Sequence, residues 1–285
     1  MKRYLVLIIL LLASWGCSRP QGFTLKKILS KHPNDPKWDV PLPNEGDAIQ
    51  SYFMQPYTYL GSGNHCYAFK SEDGQYVLKF FKQKHMQTQS LVDYLPLPAK
   101  RLFYPMERIK RRAQEREESF TSYKIAYEHL QKETGVIFLH LNKTEGLLPT
   151  LSLVDQQGQV LEIPLDNMEF LLQKKATLAF EHFHSLLNHK EALLDAVESL
   201  LRLIATRNQK GIFDKDLQFY KNFGFSQGEA LEVDVGEFKL DQPPRDVVEE
   251  TQEISLQIRD FIQENASHLL PDVQKRIEET LKTLK

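Results

Sequence analysis

Cysteine is nearly absent from this chain: Cys17 and Cys66 are the two among 285 residues. A disulfide framework is excluded, so the fold rests on its apolar core. Charge of one sign is also missing, with 36 Lys and Arg against 38 Asp and Glu and a formal net charge of −2. That balance excludes the basic excess of a nucleic-acid-coating protein and gives no whole-surface attraction to anionic lipid. No apolar run reaches the ~20 residues a membrane-spanning helix needs. What remains is a globular composition, 41% hydrophobic. Its length suits one large core or two modest ones, on a scale of roughly 100–200 residues per domain.

The longest apolar run stands at the start. Lys2 and Arg3 precede Tyr4 to Ala13, the anatomy of a signal peptide over residues 1–16, with the small residues Ser14 and Gly16 at −3 and −1 of a cut before Cys17. The stretch Leu12-Ala13-Ser14-Trp15-Gly16-Cys17 resembles a bacterial lipoprotein lipobox, with Ser14 where leucine is usual. The resemblance implies that Cys17 receives lipid, becomes the mature N-terminus and anchors the chain to the membrane in the cell envelope, facing outside the cytoplasm. An uncleaved anchor and simple secretion are the alternatives. Residues 17–48 then form a lipid-anchored tether, because Pro20, Pro33, Pro36, Pro41 and Pro43 interrupt any periodicity.

From residue 49 the pattern becomes regular. Tyr57–Leu60, a glycine loop from Gly61, a turn at Glu72-Asp73-Gly74 and Tyr76–Lys82 predict an antiparallel meander. Phe120, Tyr123, Tyr127 and Leu130 predict the docking face of a long helix over about 106–132. Further strands are expected at 136–141, 151–155, 159–163 and 168–172, with a hairpin at Gln157-Gly158. Helices follow over 175–208, where Phe180, Phe183, Leu186, Leu187, Leu193, Leu194, Val197, Leu200, Leu201 and Ile204 recur at helical spacing. Two more are expected at about 246–264 and 270–284. His182, His184 and His189 lie on a helix without a carboxylate or cysteine at matching ligand spacing, so no metal site is expected there.

The chemistry concentrates in Lys210-Gly211-Ile212-Phe213-Asp214-Lys215-Asp216-Leu217, followed by Asn222 and by Val233-Asp234-Val235-Gly236. Upstream, Gly61 and Gly63 would let backbone N–H groups approach a phosphate, and Lys79 projects from an apolar strand. The same residues also suit hairpin glycines and an edge-strand lysine. Taken in order, glycine loop, strand lysine, long helix, Asp loop with downstream Asn and Asp-x-Gly resemble the protein-kinase-like superfamily, over about Tyr57 to Phe238. The resemblance implies an α+β, bilobal fold, with an antiparallel-sheet N-lobe (49–174) and a mainly helical, reduced C-lobe (175–285). It further implies ATP and Mg2+ as ligands. Gly61 and Gly63 match the loop glycines, Lys79 the phosphate-pairing lysine, Asp216 the catalytic carboxylate, and Asn222 and Asp234 the metal-holding groups. A helix glutamate is expected to hold Lys79: Glu117 best continues the face of Phe120 and Tyr127, with Glu115, Glu118 and Glu128 as competitors.

The chain departs from the family pattern at four points. Asp214 and Lys215 stand where His and Arg are usual. Cys66 replaces the third loop glycine, Asn222 stands one residue further from Asp216, and no Ala-Pro-Glu follows Asp234-Val235-Gly236. The expected activity is phosphoryl transfer from Mg-ATP to an unknown hydroxyl acceptor or protein partner. A catalytically inactive binding module is the rival, favoured by an envelope location where ATP is not normally supplied. A third reading is a purely structural envelope lipoprotein.

Overall fold

Alternating apolar residues build the first layer, a meander of Tyr57–Ser62 (β1), Cys66–Ser71 (β2) and Tyr76–Phe81 (β3). The structure, a computed structural model, describes residues 22–30, 32–41, 46–83, 106–240 and 247–284. The expected leader, Cys17, the segment from Leu91 to Pro105 and Pro243-Pro244 lie outside the described residues. Val136–His140 (β4), Thr150–Val154 (β5), Val160–Pro164 (β6) and Phe170–Lys174 (β7) complete a 7-stranded sheet in the order β4-β7-β3-β2-β1-β5-β6. All pairings are antiparallel except β1 with β5. The β5–β6 hairpin, with Gly158 at φ 81, therefore extends the edge at β1.

Period-two alternation gives the sheet two different faces. Leu78 and Phe80 of β3 point with Phe69, Phe138, Phe170 and Leu172 into one core, which Ile49 and Phe53, in and just after Gly46–Tyr52 (α1), help to cover. Phe81 and Leu171 point the other way, against Phe120, Tyr123, Ala126 and Tyr127 of Met106–His129 (α2). Lys79 shares that second face. A short helix, Gln131–Thr134 (α3), links α2 to β4.

Past Lys174 the architecture turns helical: Ala179–Leu186 (α4), Lys190–Gln209 (α5), Phe219–Asn222 (α6), Val247–Asn265 (α7) and Leu270–Leu284 (α8). Leu193, Val197, Leu200 and Ile204 of α5 meet Ile258 and Phe261 of α7 and Val273 and Ile277 of α8 in a separate core. Short strands tie the lobe together: Thr177–Leu178 (β8), Ile212–Asp214 (β9), Phe223–Ser226 (β10), Glu229–Glu232 (β11) and Phe238–Leu240 (β12), with β10 between β11 and β8 and β9 paired to β12. The fold is thus α+β and bilobal, a sheet lobe and a helical lobe, compatible with the kinase-like layout expected. Phe180 continues the apolar spacing of α4 and remains 38% exposed.

The segment expected to be a tether is packed on the domain wherever it is described. Phe23 sits edge-on to Tyr67 and Phe69, and Trp38 is edge-on to Phe120 of α2. Ser30 donates to Glu169 at 2.7 Å, where Gln83 and Arg116 also converge, and Lys124 caps the Lys37 and Asp39 carbonyls. Prolines broke the helical and strand periodicities without preventing burial of isolated aromatics. Trp38, 3% exposed, should act as a core residue: Trp38→Ala is expected to lose about 3 kcal/mol in urea unfolding. A loss below about 1 kcal/mol, an ordinary surface effect, would restore the tether.

Candidate functional site

The two lobes meet in a cleft of about 580 Å³ that Gly61, Gly63, Lys79, Asp216 and Asp234 all line. Its roof is the β1–β2 hairpin. The pairing register slips between Tyr59 and Gly61, and Gly63 N–H donates to the Cys66 carbonyl at 3.0 Å, closing the turn. A Cβ at Gly61 or Gly63 would meet nothing within 4 Å. These glycines leave room above the cleft and are not forced by packing.

Lys79 enters from β3 on the face toward α2, as alternation requires. Its Nζ donates to the Val233 carbonyl at 2.5 Å. Burial lowers its pKa, and the nearby Asp234 carboxylate opposes that shift. Glu117 is corrected as its partner: it pairs instead with Lys37 at the surface, about half exposed (49%). Glu115 pairs with Arg111, Glu118 with Lys239 and Glu128 with Lys124. The reason is helical phase. The inward stripe of α2 runs Arg116, Phe120, Tyr123, Tyr127, so Glu117 lies off the stripe and Arg116 takes the inner position against buried Glu169. Tyr123 lines the cleft beside Lys79, its hydroxyl 3.4 Å from Cys66 Sγ. Burial pushes the Cys66 thiol up to about 11 and raises the Tyr123 phenol well above its usual range. Both stay neutral at physiological pH, and Cys66 serves packing where a loop glycine was expected.

The acidic side is built by backbone connections. Asp216 follows β9, with its N–H held by Asp214 Oδ1 at 3.0 Å and its Oδ1 bonded by Gln218. The additional residue before Asn222 is absorbed by the single turn α6, and Asn222 Nδ2 donates back to the Asp216 carbonyl. The Asn222 carbonyl in turn accepts from the N–H groups of Val233 at 2.7 Å and Asp234 at 3.2 Å. Asp216, Asn222 and Asp234 are therefore cross-linked through main chain. Asn222 Oδ1 is buried and accepts no hydrogen bond among the described residues, which is costly unless a ligand uses it. Asp234 is exposed, with Oδ1 3.3 Å from Gly236 N–H. No three His, Cys, Asp or Glu side chains cluster to hold a metal among the described residues. A magnesium ion bound mainly through phosphates needs only one or two protein oxygens; Asp234 lines the cleft and fits that donor set, whereas Asn222 is not among the lining residues and joins the site through its bonds to the Asp216 and Asp234 backbone.

Two features escaped sequence reasoning. Gly224 lets β10 approach the inter-lobe segment: a Cβ there would lie 2.7 Å from the Thr177 carbonyl oxygen and 2.9 Å from Ala176 Cβ. Beneath the Asp216 loop, Arg207 is fully buried between Glu232 and Glu250, and Glu250 Oε1 accepts Asp214 N–H at 3.1 Å. A signal for Arg207 existed, since it continues the α5 stripe of Leu193, Val197, Leu200 and Ile204. Nothing in the sequence named its acidic partners, which arrive from β11 and α7.

No family model matches the chain, and no curated protein matches it. Among solved structures, the complex of Rv3197 with erythromycin from Mycobacterium tuberculosis aligns at 14% identity and TM-score 0.35, covering 79% of this chain and 56% of that one. A crystal structure of WbdD aligns at 15% identity and TM-score 0.37, covering 75% of this chain and 44% of that one. A further structure describes WbdD as a bifunctional kinase-methyltransferase, at 15% identity and TM-score 0.36, covering 75% and 43%. The chain spans about half the length of these proteins.

Proposed function

We propose that the cleft binds Mg-ATP and transfers its γ-phosphoryl group to a hydroxyl acceptor. The carrying observation is the convergence of Lys79, Asp216 and Asp234 in one cleft, with the unpartnered Oδ1 of Asn222 tied to the same loop. Magnesium, when bound, would supply divalent charge on the phosphate oxygens. Asn222 Oδ1 and Asp234 are the hard oxygen donors for it. Lys79 places an ammonium on the remaining phosphate charge, and the hairpin glycines admit the phosphates beneath the roof. Asp216 accepts the acceptor hydroxyl's proton as the new O–P bond forms and the bond from phosphorus to the departing ADP oxygen breaks. Anchoring through a lipid on Cys17, in the cell envelope, completes the reading.

One observation favours the rival, a nucleotide-binding module without transfer. None of the four candidate helix glutamates pairs with Lys79, whose ammonium rests on the Val233 carbonyl. Thermal unfolding with ATP, with and without Mg2+, separates a nucleotide site from an empty cleft. A rise of roughly 3 °C or more is expected at ATP tenfold above its Kd. Asp234→Asn should remove the Mg-dependent part. An unchanged Tm at millimolar ATP defeats both nucleotide readings.

A further inference from the structure

We propose that Gln257 of α7 is a positioning residue for Asp216, acting through the backbone on either side of Gln218. The proposal rests on the reading of the cleft as a phosphotransferase site and adds to it a residue that does not line the cleft. Gln257 Nε2 donates to the Leu217 carbonyl at 3.0 Å, and Gln257 Oε1 accepts the Phe219 N–H at 2.9 Å. One amide therefore grips both peptide groups that flank Gln218. The Gln218 side chain in turn donates through Nε2 to Asp216 Oδ1.

The need for such a group follows from where these residues lie. Leu217 and Phe219 are both buried; Leu217 belongs to the irregular stretch after β9, and Phe219 opens α6, where the first N–H groups have no partner within the helix. A buried backbone group left unpaired is costly. A glutamine amide carries a donor and an acceptor side by side, so it answers the carbonyl and the N–H together. The helix behind it is firmly seated, because Ile254, Ile258 and Phe261 of α7 are fully buried in the same core as Leu217 and Phe219. About two helical turns before Gln257, Glu250 accepts the Asp214 N–H. So α7 holds the loop on both sides of Asp216.

The clamp also answers the additional residue between Asp216 and Asn222. A longer connection has more conformational freedom to lose, and Gln257 restrains it at the residue whose side chain reaches back to the carboxylate. With the Gln218 backbone fixed, its Nε2 meets Asp216 Oδ1 in one orientation. Among the described residues no hydrogen bond engages Asp216 Oδ2, which leaves that oxygen to take the proton of the acceptor hydroxyl. Nucleotide binding uses other groups, so loss of the clamp acts on transfer.

Hydrogen exchange and ATP turnover of the full chain test this with Gln257→Leu, which keeps most of the side-chain volume and removes the amide; circular dichroism verifies that it folds. Backbone exchange over 214–222 should quicken roughly tenfold. The kcat for ADP formation, with water as the acceptor, should fall roughly 10- to 100-fold, while KM for ATP and the ATP-dependent thermal shift stay at wild-type values. Gln257→Glu keeps the acceptor for the Phe219 N–H and loses the donor to Leu217, so it should show smaller changes of the same sign; it decides alone if the leucine variant does not fold. Gln218→Met should lower kcat without quickening exchange at Phe219. Unchanged exchange or unchanged kcat in the folded Gln257 variant, or unchanged kcat in Gln218→Met, overturns the proposal and leaves phosphotransfer standing. Loss of the thermal shift along with kcat also overturns it, since the contact would then be general support. If the wild type forms no ADP, the phosphotransfer reading falls and the positioning role falls with it.

Discussion

Replacing Arg207 with alanine should cost roughly 3–5 kcal/mol, the range for removing one partner of a buried ion pair. That is a large share of the 5–15 kcal/mol that holds a typical domain folded. Arg207 is 0% exposed and bonds both Glu232 and Glu250. Without it, the acids of β11 and α7 face Asp214 with no cation between them. The Asp216 loop depends on the same set, because Glu250 holds the Asp214 N–H and Asp214 holds the Asp216 N–H. Urea unfolding followed by circular dichroism checks the loss. A change under 1 kcal/mol would mean that the cluster is not buried in solution.

The cluster also sets a pH dependence. Burial pushes Glu232 well above the usual carboxylate range and raises Asp214, with Arg207 pulling both down. Asp214 Oδ2 and Glu232 Oε2 are both buried without a hydrogen-bond partner among the described residues, which favours their protonated forms. The native state therefore binds protons here more tightly than the unfolded chain, whose carboxyls release them near pH 4. Native stability from this pair is complete below the unfolded carboxylate pKa and is lost as pH rises through the raised folded values. Glu232→Gln should flatten that decline as pH rises above about 4, measured as Tm against pH.

Asp216→Asn should lower phosphoryl transfer by roughly 10²–10⁴-fold, the usual worth of a positioned general base. Asparagine keeps the size of the side chain and its contact with Gln218, so the ATP-dependent thermal shift should survive. The distinction matters because Lys79, Asn222 and Asp234 are assigned to the nucleotide, whereas Asp216 is assigned to the acceptor. ADP formation in the presence of an acceptor is the measurement. Equal rates in wild type and variant would remove Asp216 from the chemistry, and loss of the thermal shift would make it part of the nucleotide site.

Much of the layout was legible because it follows from short-range rules. Alternation in Tyr76–Phe81 set Lys79 apart from Leu78 and Phe80, and the structure puts it on the cleft face. The stripe on α5 and the hairpin at Gly158 were likewise readable from spacing and turn chemistry. Glu117 shows where such reasoning stops. One position on a helix is 100° of rotation, so choosing Glu117 over the true inner residue, Arg116, sent the expected partner of Lys79 to the surface. The 22–41 segment was misread for a different reason: its anchors, Phe23, Ser30 and Trp38, have partners over 40 residues away, and no local period announces them.

By itself, the sequence determined which stretches become strands and helices, and where the acidic groups and Lys79 stand along them, because apolar periodicity and turn residues act over a few residues. Only the tertiary structure decided that Asn222 reaches Asp216 despite the longer loop, that Arg207 gathers acids from two distant elements, and that Gln257 of α7 grips the loop after Asp216. These depend on burial and on contacts between elements remote in sequence, where the cost of an unpaired polar group, rather than local propensity, selects the arrangement.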